Sequence, residues 1–597
     1  MTSNHTSRLE IITSWIISAL AFIFFLICGY KIYSLYLLNC PNQEFLTWDP
    51  ELRYIITLKM MNYLREGMLF HYIGLFLDSP HWPSLRNVVE SILFLIFNHS
   101  ANGVVLFTFV FFLFIPFLCF YLLYRIFNIN LEFAISFLFF ILCLIQSDPL
   151  WLYSLTGMLE IQGAFLFPLV SFYVWKSLID SSFISKRSNG WITFIITFLL
   201  YQTKYPYGYM LVLFLVIFEV IFHFKDTVEL GKIYLLNLKK IKKKPLIWIA
   251  LSLSLILLLF KHKLNGKLPG YIIYTTLLVL VIDFFLFFFK NTRNSKDNQL
   301  HFIIKWIIFP IIVWIMIQPD RFGSYSGQIS HIETQGFNPG QEITKDVDYL
   351  LVFFTEFIMN SFKEFHIAYL ILLGNIILML KGIWDYFRNK VLSFSSFLSI
   401  ICILTFIELS LFTSNRLARH TYHLYPSMIL SLVLFNLEFS SVKRVHSTIF
   451  SILITCIVSY PFILSPFNQI IRTEICYTGY NKNDYLAPKW FEEYALNNLN
   501  KNTILYNEMN KFHVNKADSE YLLNKISYDK KLKLLIDPKR FSQLEDHYEE
   551  IWIIGNQCSD SSKFSEHSSI YSKWGFSIDK YEEIKSNFGC IKIFRKN

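Results

Sequence analysis

Charged residues are scarce in this chain of 597 residues, since only 16% are Asp, Glu, Lys or Arg. A soluble globular protein carries about 25%. Hydrophobic residues make up 54% of the chain, and the mean hydropathy is +0.42. Apolar runs of about 15 to 25 residues recur, which is the length a helix needs to cross roughly 30 Å of hydrocarbon. The composition excludes a soluble fold and predicts an all-α polytopic membrane protein.

The signatures of nucleic-acid, metal and cofactor binding are also missing. The formal net charge is +10, but the densest basic block, residues 237–246, lies between two apolar runs. That position is typical of a cytoplasmic loop rather than of a nucleic-acid-binding face. The nine cysteines form no CxxC pair, and no histidine spacing suggests a metal site. Most of the 62 Phe and 34 Tyr are expected to face lipid or line the membrane interfaces. We therefore predict no metal site, no cofactor and no nucleic-acid partner, and the sequence leaves open whether a metal assists.

The first apolar run, residues 11–33, lacks a small-residue cleavage site behind it. It is also longer than the roughly 7–15 residues of a signal-peptide core, which predicts a retained first span. About thirteen spans are predicted in all: 11–33, 102–124, 132–147, 158–178, 191–202, 207–224, 246–260, 271–289, 302–318, 366–382, 393–413, 424–439 and 447–463.

The distribution of Lys and Arg favours a cytoplasmic N-terminus, because the loops on that side hold more of both. The protein is expected in the cell inner or plasma membrane. An odd number of spans then places the C-terminus outside. The tail, residues 464–597, is polar and alternates helix-like stretches with short strand-like ones, which predicts a small α/β domain. We expect two domains, a transmembrane domain over 1–463 that includes the external loop 34–101, and the extracytoplasmic domain 464–597.

Four cysteines lie in polar regions and are candidates for disulfides if their compartment is oxidising. The sequence leaves open which of them pair: Cys40, Cys476, Cys558 and Cys590.

The first external loop has an ordered set of landmarks. Asp49 precedes Pro50, a helical stretch follows to Gly67, a turn holds His81, Trp82 and Pro83, and an amphipathic segment then runs to "NHSANG". By itself, Asp before Pro at the start of a helix suits a helix cap.

This order resembles the GT-C superfamily of polytopic glycosyltransferases, which contains the protein O-mannosyltransferases and the lipid A aminoarabinose transferases. In those enzymes an acidic residue follows the first span, a Gly ends a helix, and a His/Pro-Pro turn leads into an amphipathic helix. Trp82 stands where many members have the second Pro. Later landmarks agree: Glu160 at a membrane edge, Lys204 and Pro206 at a break between spans, and Arg419, Tyr422 and Pro426 at the entry to a late span. The resemblance covers residues 10–225 and parts of 400–440.

The resemblance implies transfer of a sugar from a polyprenyl-phosphate donor to an extracytoplasmic acceptor, which could be a lipopolysaccharide, another glycan or a protein. Such chemistry needs a base for the acceptor hydroxyl and cations for the donor phosphate. Asp49 is the expected base and Glu160 its partner. Lys204 and Arg419 are expected to lie together as exposed side chains at the outer membrane edge. The residues expected to bind substrate are His81, Lys204, Arg416, Arg419, His420 and Tyr422.

Other interpretations remain open at this stage. Asp49 can be only a cap, Glu160 a helix-paired side chain, and Lys204 an interfacial anchor. For the whole chain, the alternatives are a transporter or a flippase or polymerase of lipid-linked glycans. A transporter is expected to have charged residues near span centres and a repeated hydropathy pattern, but Glu219, Asp283 and Glu408 form no series. A polymerase has its large loop late in the chain, whereas here the largest loop between spans comes first.

Overall fold

The structure is a computed structural model of the chain. It describes residues 8–39, 49–65, 67–77, 83–97, 100–222, 299–317, 347–412, 418–440, 486–499, 503–507, 533–535, 549–555, 576–586 and 589–596, and a few single residues between these ranges.

Helices form nearly all of the described part of the chain before residue 441. They are α1 (Arg8–Asn39), α2 (Asp49–Arg65), α3 (Leu69–Leu77), α4 (Leu85–Phe97), α5 (Ala101–Ile126), α6 (Leu131–Ile145), α7 (Asp148–Ser154), α8 (Glu160–Ile179), α9 (Ser181–Ser185), α10 (Arg187–Thr203), α11 (Tyr205–Phe222), α12 (Gln299–Ile303), a π-helical turn (Ile304–Ile308), α13 (Phe309–Ile317), α14 (Val347–Asn360), α15 (Phe365–Asn389), α16 (Phe394–Phe412), a 3₁₀ helix (Ala418–Leu424) and α17 (Tyr425–Ser440).

The all-α prediction is confirmed for this part of the chain. All predicted spans fall on these helices except 246–260, 271–289 and 447–463, which lie outside the described residues apart from residue 455. By length and apolar composition, 5 described helical segments are able to cross a membrane: α1, α5, α12 to α13, α15 and α16. A sixth is added if α6 and α7 count as one bent span. The total number of spans and their orientation stay predictions.

Helix α8 occupies the centre of the helical bundle. It packs against α5, α10, α16, α17 and the 3₁₀ helix, and most of its side chains are buried. Pro168 lies inside α8, as Pro116 lies inside α5. Membrane helices tolerate internal prolines because neighbouring groups re-satisfy the freed backbone. Because α8 packs against five other elements, its first turn is surrounded by protein, and this is where the candidate site lies.

Helices α6 and α7 meet at a 68° bend. The predicted span 132–147 ends at this bend, where the Asp148–Pro149 pair favours a turn. The Lys363 backbone N–H donates to the Gln146 carbonyl at 3.1 Å. The Ser147 hydroxyl donates to the Ser361 carbonyl at 3.0 Å. The segment before α15 thus satisfies backbone and side-chain groups that the break exposes.

Between α1 and α5, the described part of the predicted external loop, residues 34–101, folds into α2, α3 and α4. Gly67 follows α2 with φ +70°, a left-handed conformation that favours glycine. The landmark "NHSANG" contains the N-cap of α5, where the Gly103 backbone N–H donates to the Ser100 hydroxyl at 2.9 Å. Helices α2 and α4 pack against each other, so the loop is a folded layer.

The tail contains α18 (Leu486–Asn498) and a sheet of β1 (Thr503–Asn507), β2 (Lys533–Leu535), β3 (Glu550–Gly555), β4 (Phe576–Ser586) and β5 (Gly589–Lys596). The strand order is β2-β1-β3-β5-β4. Strand β1 is parallel to β2 and β3, while β5 is antiparallel to β3 and β4. The predicted α/β fold of the tail is confirmed. Cys590, at the start of β5, is disulfide-bonded.

Candidate active site

The turn before α8 brings the start of α2 close to Glu160. Gly157 in this turn has φ +75°, and a Cβ at this position would lie 3.0 Å from Cγ1 of Val104 and 3.5 Å from Cβ of Pro50. Glycine is therefore required both for the backbone conformation and for the close packing. Pro50 directly follows Asp49 in the sequence, so α2 begins against the turn that leads to Glu160.

Glu160 is 1% exposed and lies between two cationic side chains. Its Oε1 lies 2.8 Å from Nζ of Lys204 and 3.9 Å from Nε of Arg419. Lys204 is the C-cap of α10. This helix cannot continue through Pro206, because proline lacks a backbone N–H and its ring clashes with the carbonyl four residues earlier. Arg419 comes from the 3₁₀ helix. Three segments that are remote in sequence thus meet at one carboxylate oxygen.

His420 extends this cluster. Nζ of Lys204 lies 3.2 Å from Nδ1 of His420. An ammonium group can only donate, so Nδ1 accepts and the proton of the neutral ring lies on Nε2. Burial of the ring, followed by the charges of Lys204 and Arg419, holds the pKa of His420 well below its usual value. The imidazole is therefore a neutral partner of the lysine near pH 7.

An aromatic pair lies against the same end of α8. The rings of Tyr207 and His423 are stacked with centroids 3.9 Å apart. A Cβ at Gly163 would lie 2.4 Å from Cε2 of Tyr207 and 3.0 Å from Cβ of His423, so the absent side chain allows this pair to pack on α8. Burial lowers the pKa of His423 to about 3. Sequence reasoning missed both residues, although each is adjacent to a landmark, Pro206 or Tyr422.

The expectation that Lys204 and Arg419 are exposed is wrong. Lys204 is 6% exposed and Arg419 is 7% exposed. Both are buried because the end of α10 and the 3₁₀ helix pack against α8. Nη1 of Arg419 also lies 3.6 Å from the Met158 sulfur, in the turn before Glu160. Their mutual proximity, however, is as expected.

The remaining predicted residues are placed as follows. Tyr422 is 8% exposed and packs edge-to-face on Tyr153 of α7, with centroids 4.8 Å apart. Asp49 is the first residue of α2, and its side chain lies outside the described part of the structure. His81 and Arg416 also lie outside the described residues.

No protein-family model and no curated protein matches this sequence. Among solved structures, the chain is similar to ArnT from Cupriavidus metallidurans in the apo state. The TM-score is 0.36 at 11% sequence identity, and the alignment covers 98% of each chain. A similarity at this level assigns no role to any residue, so the functional reasoning depends on the side chains described above.

Proposed function

We propose that this chain is a GT-C-like membrane glycosyltransferase, which transfers a sugar from a polyprenyl-phosphate donor to an extracytoplasmic acceptor. One observation supports it most. Lys204 and Arg419 converge on Glu160 at the start of α8, next to the turn that packs on Pro50. Three sequence landmarks of the resemblance, which are far apart in the chain, thereby come together in one buried polar cluster.

The residue types fit the two chemical needs of the reaction. The acceptor hydroxyl attacks the anomeric carbon, and the bond from that carbon to the phosphate oxygen breaks, so the phosphate leaves with the bonding electrons. Lys204 and Arg419 hold the donor phosphate and stabilise the negative charge on the departing oxygen, since charge-assisted hydrogen bonds are the strong ones. The Nε2–H of His420 is a further, neutral donor in the same cluster.

The two carboxylates have different roles in this proposal. Asp49 accepts the proton of the acceptor hydroxyl as the new glycosidic bond forms. Glu160 is its partner across the site, and its ion pair holds the Lys204 ammonium in place. Because a donor of this class keeps its isoprenoid tail in the bilayer, the start of α8, at the predicted outer edge of a span, is a suitable place for its phosphate.

The topology that this reaction requires is part of the proposal. The N-terminus is cytoplasmic, and residues 34–101 and the tail 464–597 are extracytoplasmic, in the inner or plasma membrane. The disulfide at Cys590 supports this orientation, because disulfides persist in oxidising compartments such as the periplasm or cell exterior.

The proposal is tested with Asp49→Asn. Asn and Asp rank alike as helix caps, so a purely structural Asp49 predicts wild-type behaviour. A catalytic base predicts a loss of transfer by a factor on the order of 10²–10⁴, with expression and donor binding retained, because an amide accepts no proton. Purified protein is screened with radiolabelled polyprenyl-phosphate sugars at matched protein levels. Asp385→Asn, in the surface pair of Asp385 with Lys381 on α15, is the matched control. Wild-type turnover of Asp49→Asn would leave Asp49 as a cap and reject the mechanism.

A further inference from the structure

Two buried arginines of the first external loop hold the turn that leads to Glu160. Arg53 of α2 is 1% exposed, and its Nη2 donates to the Gly157 carbonyl. Arg86 of α4 is 4% exposed, and its Nη1 donates to the Met158 carbonyl at 3.4 Å. Consecutive carbonyls of the turn are thus bound by guanidinium groups from two different helices.

Arg86 is fixed in turn by several partners. Its Nε lies 2.6 Å from Oε1 of Glu90, one helical turn along α4. Its Nη2 donates to the Thr108 hydroxyl at 2.8 Å and to the Val104 carbonyl at 3.0 Å, both on α5. A guanidinium presents donors in a rigid planar fork, which suits one side chain that must bind several acceptors at once. Arg86 therefore connects α4, α5 and the turn.

The same network extends to α2. The Thr57 hydroxyl donates to Oε2 of Glu90 at 3.2 Å, and the Asn87 side-chain amide donates to the Arg53 carbonyl at 3.2 Å. Glu90 is 1% exposed, so its ion pair with Arg86 is shielded from water. Breaking a buried pair by removing one partner leaves an uncompensated charge and is strongly unfavourable. The contacts between α2, α4 and the turn are therefore held in a single arrangement.

This network joins the helix that begins at Asp49 to the turn that leads to Glu160. Arg53 is four residues after Asp49 on α2, and positions four apart share a helix face. Met158 is two residues before Glu160, and its sulfur contacts Arg419. We infer that Arg53 and Arg86 are positioning residues, which clamp the turn 155–159 to the first external loop and so fix Glu160 relative to Asp49. The expected effect on catalysis rests on the proposed function, whereas the contacts that form the clamp do not depend on it.

The clamp is tested first without any activity. Hydrogen exchange of the backbone amides in a peptide covering residues 155–160 is measured by mass spectrometry on the full-length protein in detergent. Arg53→Gln and Arg86→Gln are expected to raise exchange there by about tenfold or more, because each removes a hydrogen bond from a charged donor. Arg125→Gln, at an exposed position near the end of α5, is expected to leave exchange at the turn unchanged. Unchanged exchange in both Gln variants would overturn the clamp, whatever the protein catalyses.

Transfer kinetics then separate positioning from simple structural support. Because misplacement by about 1 Å costs up to roughly a hundredfold in rate, kcat is expected to fall by 10- to 100-fold in both variants, with the donor KM within about twofold. Arg86→Lys keeps a charge for Glu90 but loses the fork, so its kcat is expected to lie between those of wild type and Arg86→Gln. This conservative variant also keeps the test valid if Arg86→Gln folds poorly.

A second control comes from another buried polar cluster. Asn375 on α15 bonds the Ser399 and Ser431 hydroxyls and the Met428 carbonyl. Asn375→Leu is expected to lower the melting temperature while leaving kcat per folded molecule unchanged. Faster exchange at the turn with wild-type kcat in the arginine variants would overturn the positioning role. If the wild-type protein transfers no sugar, the proposed function fails, and the exchange experiment alone decides the clamp.

Discussion

The ion pair between Glu160 and Lys204 should control both stability and donor binding, and a double-mutant cycle can separate the two. The Glu160 carboxylate is buried, with the residue 1% exposed. Lys204→Met removes its nearest cation and leaves Nε of Arg419, 3.9 Å away, as the remaining one. Removing one partner of a buried pair costs about 3–5 kcal/mol. Glu160→Gln removes the carboxylate from Lys204 and should also destabilise the protein. The double variant buries a neutral pair, so we expect a coupling free energy of about 2–3 kcal/mol.

The donor-binding half of the cycle should behave differently from the stability half. A hydrogen bond to a charged group is worth about 1.5–3 kcal/mol, so loss of Lys204 should weaken donor binding by roughly 10- to 150-fold. The double variant should regain stability without regaining donor affinity. Glu160→Gln alone should lose less donor affinity than Lys204→Met, because the ammonium is still present although the carboxylate that holds it in place is gone.

The measurements are unfolding of purified protein in detergent and binding of a polyprenyl-phosphate sugar. Lys381→Met is the matched lysine control, because its partner Asp385 lies on the surface of α15 and exposed pairs contribute about 0–1 kcal/mol. Stability changes that add within about 0.5 kcal/mol would refute the buried-pair reasoning. Wild-type donor affinity in the double variant would remove Lys204 from the phosphate site.

Three further predictions concern the aromatic pair and the tail. Gly163→Ala should lower stability by about 1–3 kcal/mol in thermal unfolding, because the new Cβ would lie 2.4 Å from Tyr207 unless the ring moves. An unchanged melting temperature would contradict this prediction and show that the ring moves freely. Because the pKa of His423 is lowered to about 3, its contribution to stability is present above about pH 6.5 and is lost as pH falls towards 3, by about 1.4 kcal/mol per pH unit. His423→Gln should therefore reduce the fall in melting temperature as the pH is lowered. His366→Gln, at an exposed position, is the control and should not reduce it. Equal slopes of melting temperature against pH in the wild type and both variants would contradict the assignment. On intact cells, Asn597→Cys should react with a membrane-impermeant maleimide more than the wild-type protein, whose native cysteines set the background. Extra labelling that appears only after permeabilisation would contradict the external tail.

The sequence predicted the helices well because membrane spans are recognised by length and apolar composition alone. Even the short predicted span 191–202 lies within α10, Arg187–Thr203. Strands β1, β3 and β5 coincide with strand-like stretches of the tail, whereas their order and direction depend on pairing between remote segments.

The candidate site was predictable only where a residue lies in a local landmark. Glu160, Lys204 and Arg419 were found in this way, and the structure brings them together. Their burial was not predicted, because an isolated basic residue near a span end looks like an interfacial anchor. Sequence reasoning missed Arg86 and Glu90. The acceptors of Arg86 on α5 and in the turn before α8 are brought to it only by tertiary packing, which leaves no local sequence signal.

The bend between α6 and α7 has a consequence for how the chain enters the membrane. The carbonyl of Gln146 and the hydroxyl of Ser147 find partners in Lys363 and Ser361, more than two hundred residues later in synthesis. An unsatisfied backbone group costs several kcal/mol within hydrocarbon, so these groups need water as their partner until Ser361 and Lys363 have been synthesised. The early helices should therefore remain near water, or near the insertion machinery, until α15 arrives. Arg419 is synthesised later still, so the cluster around Glu160 is completed only after α16 has been made.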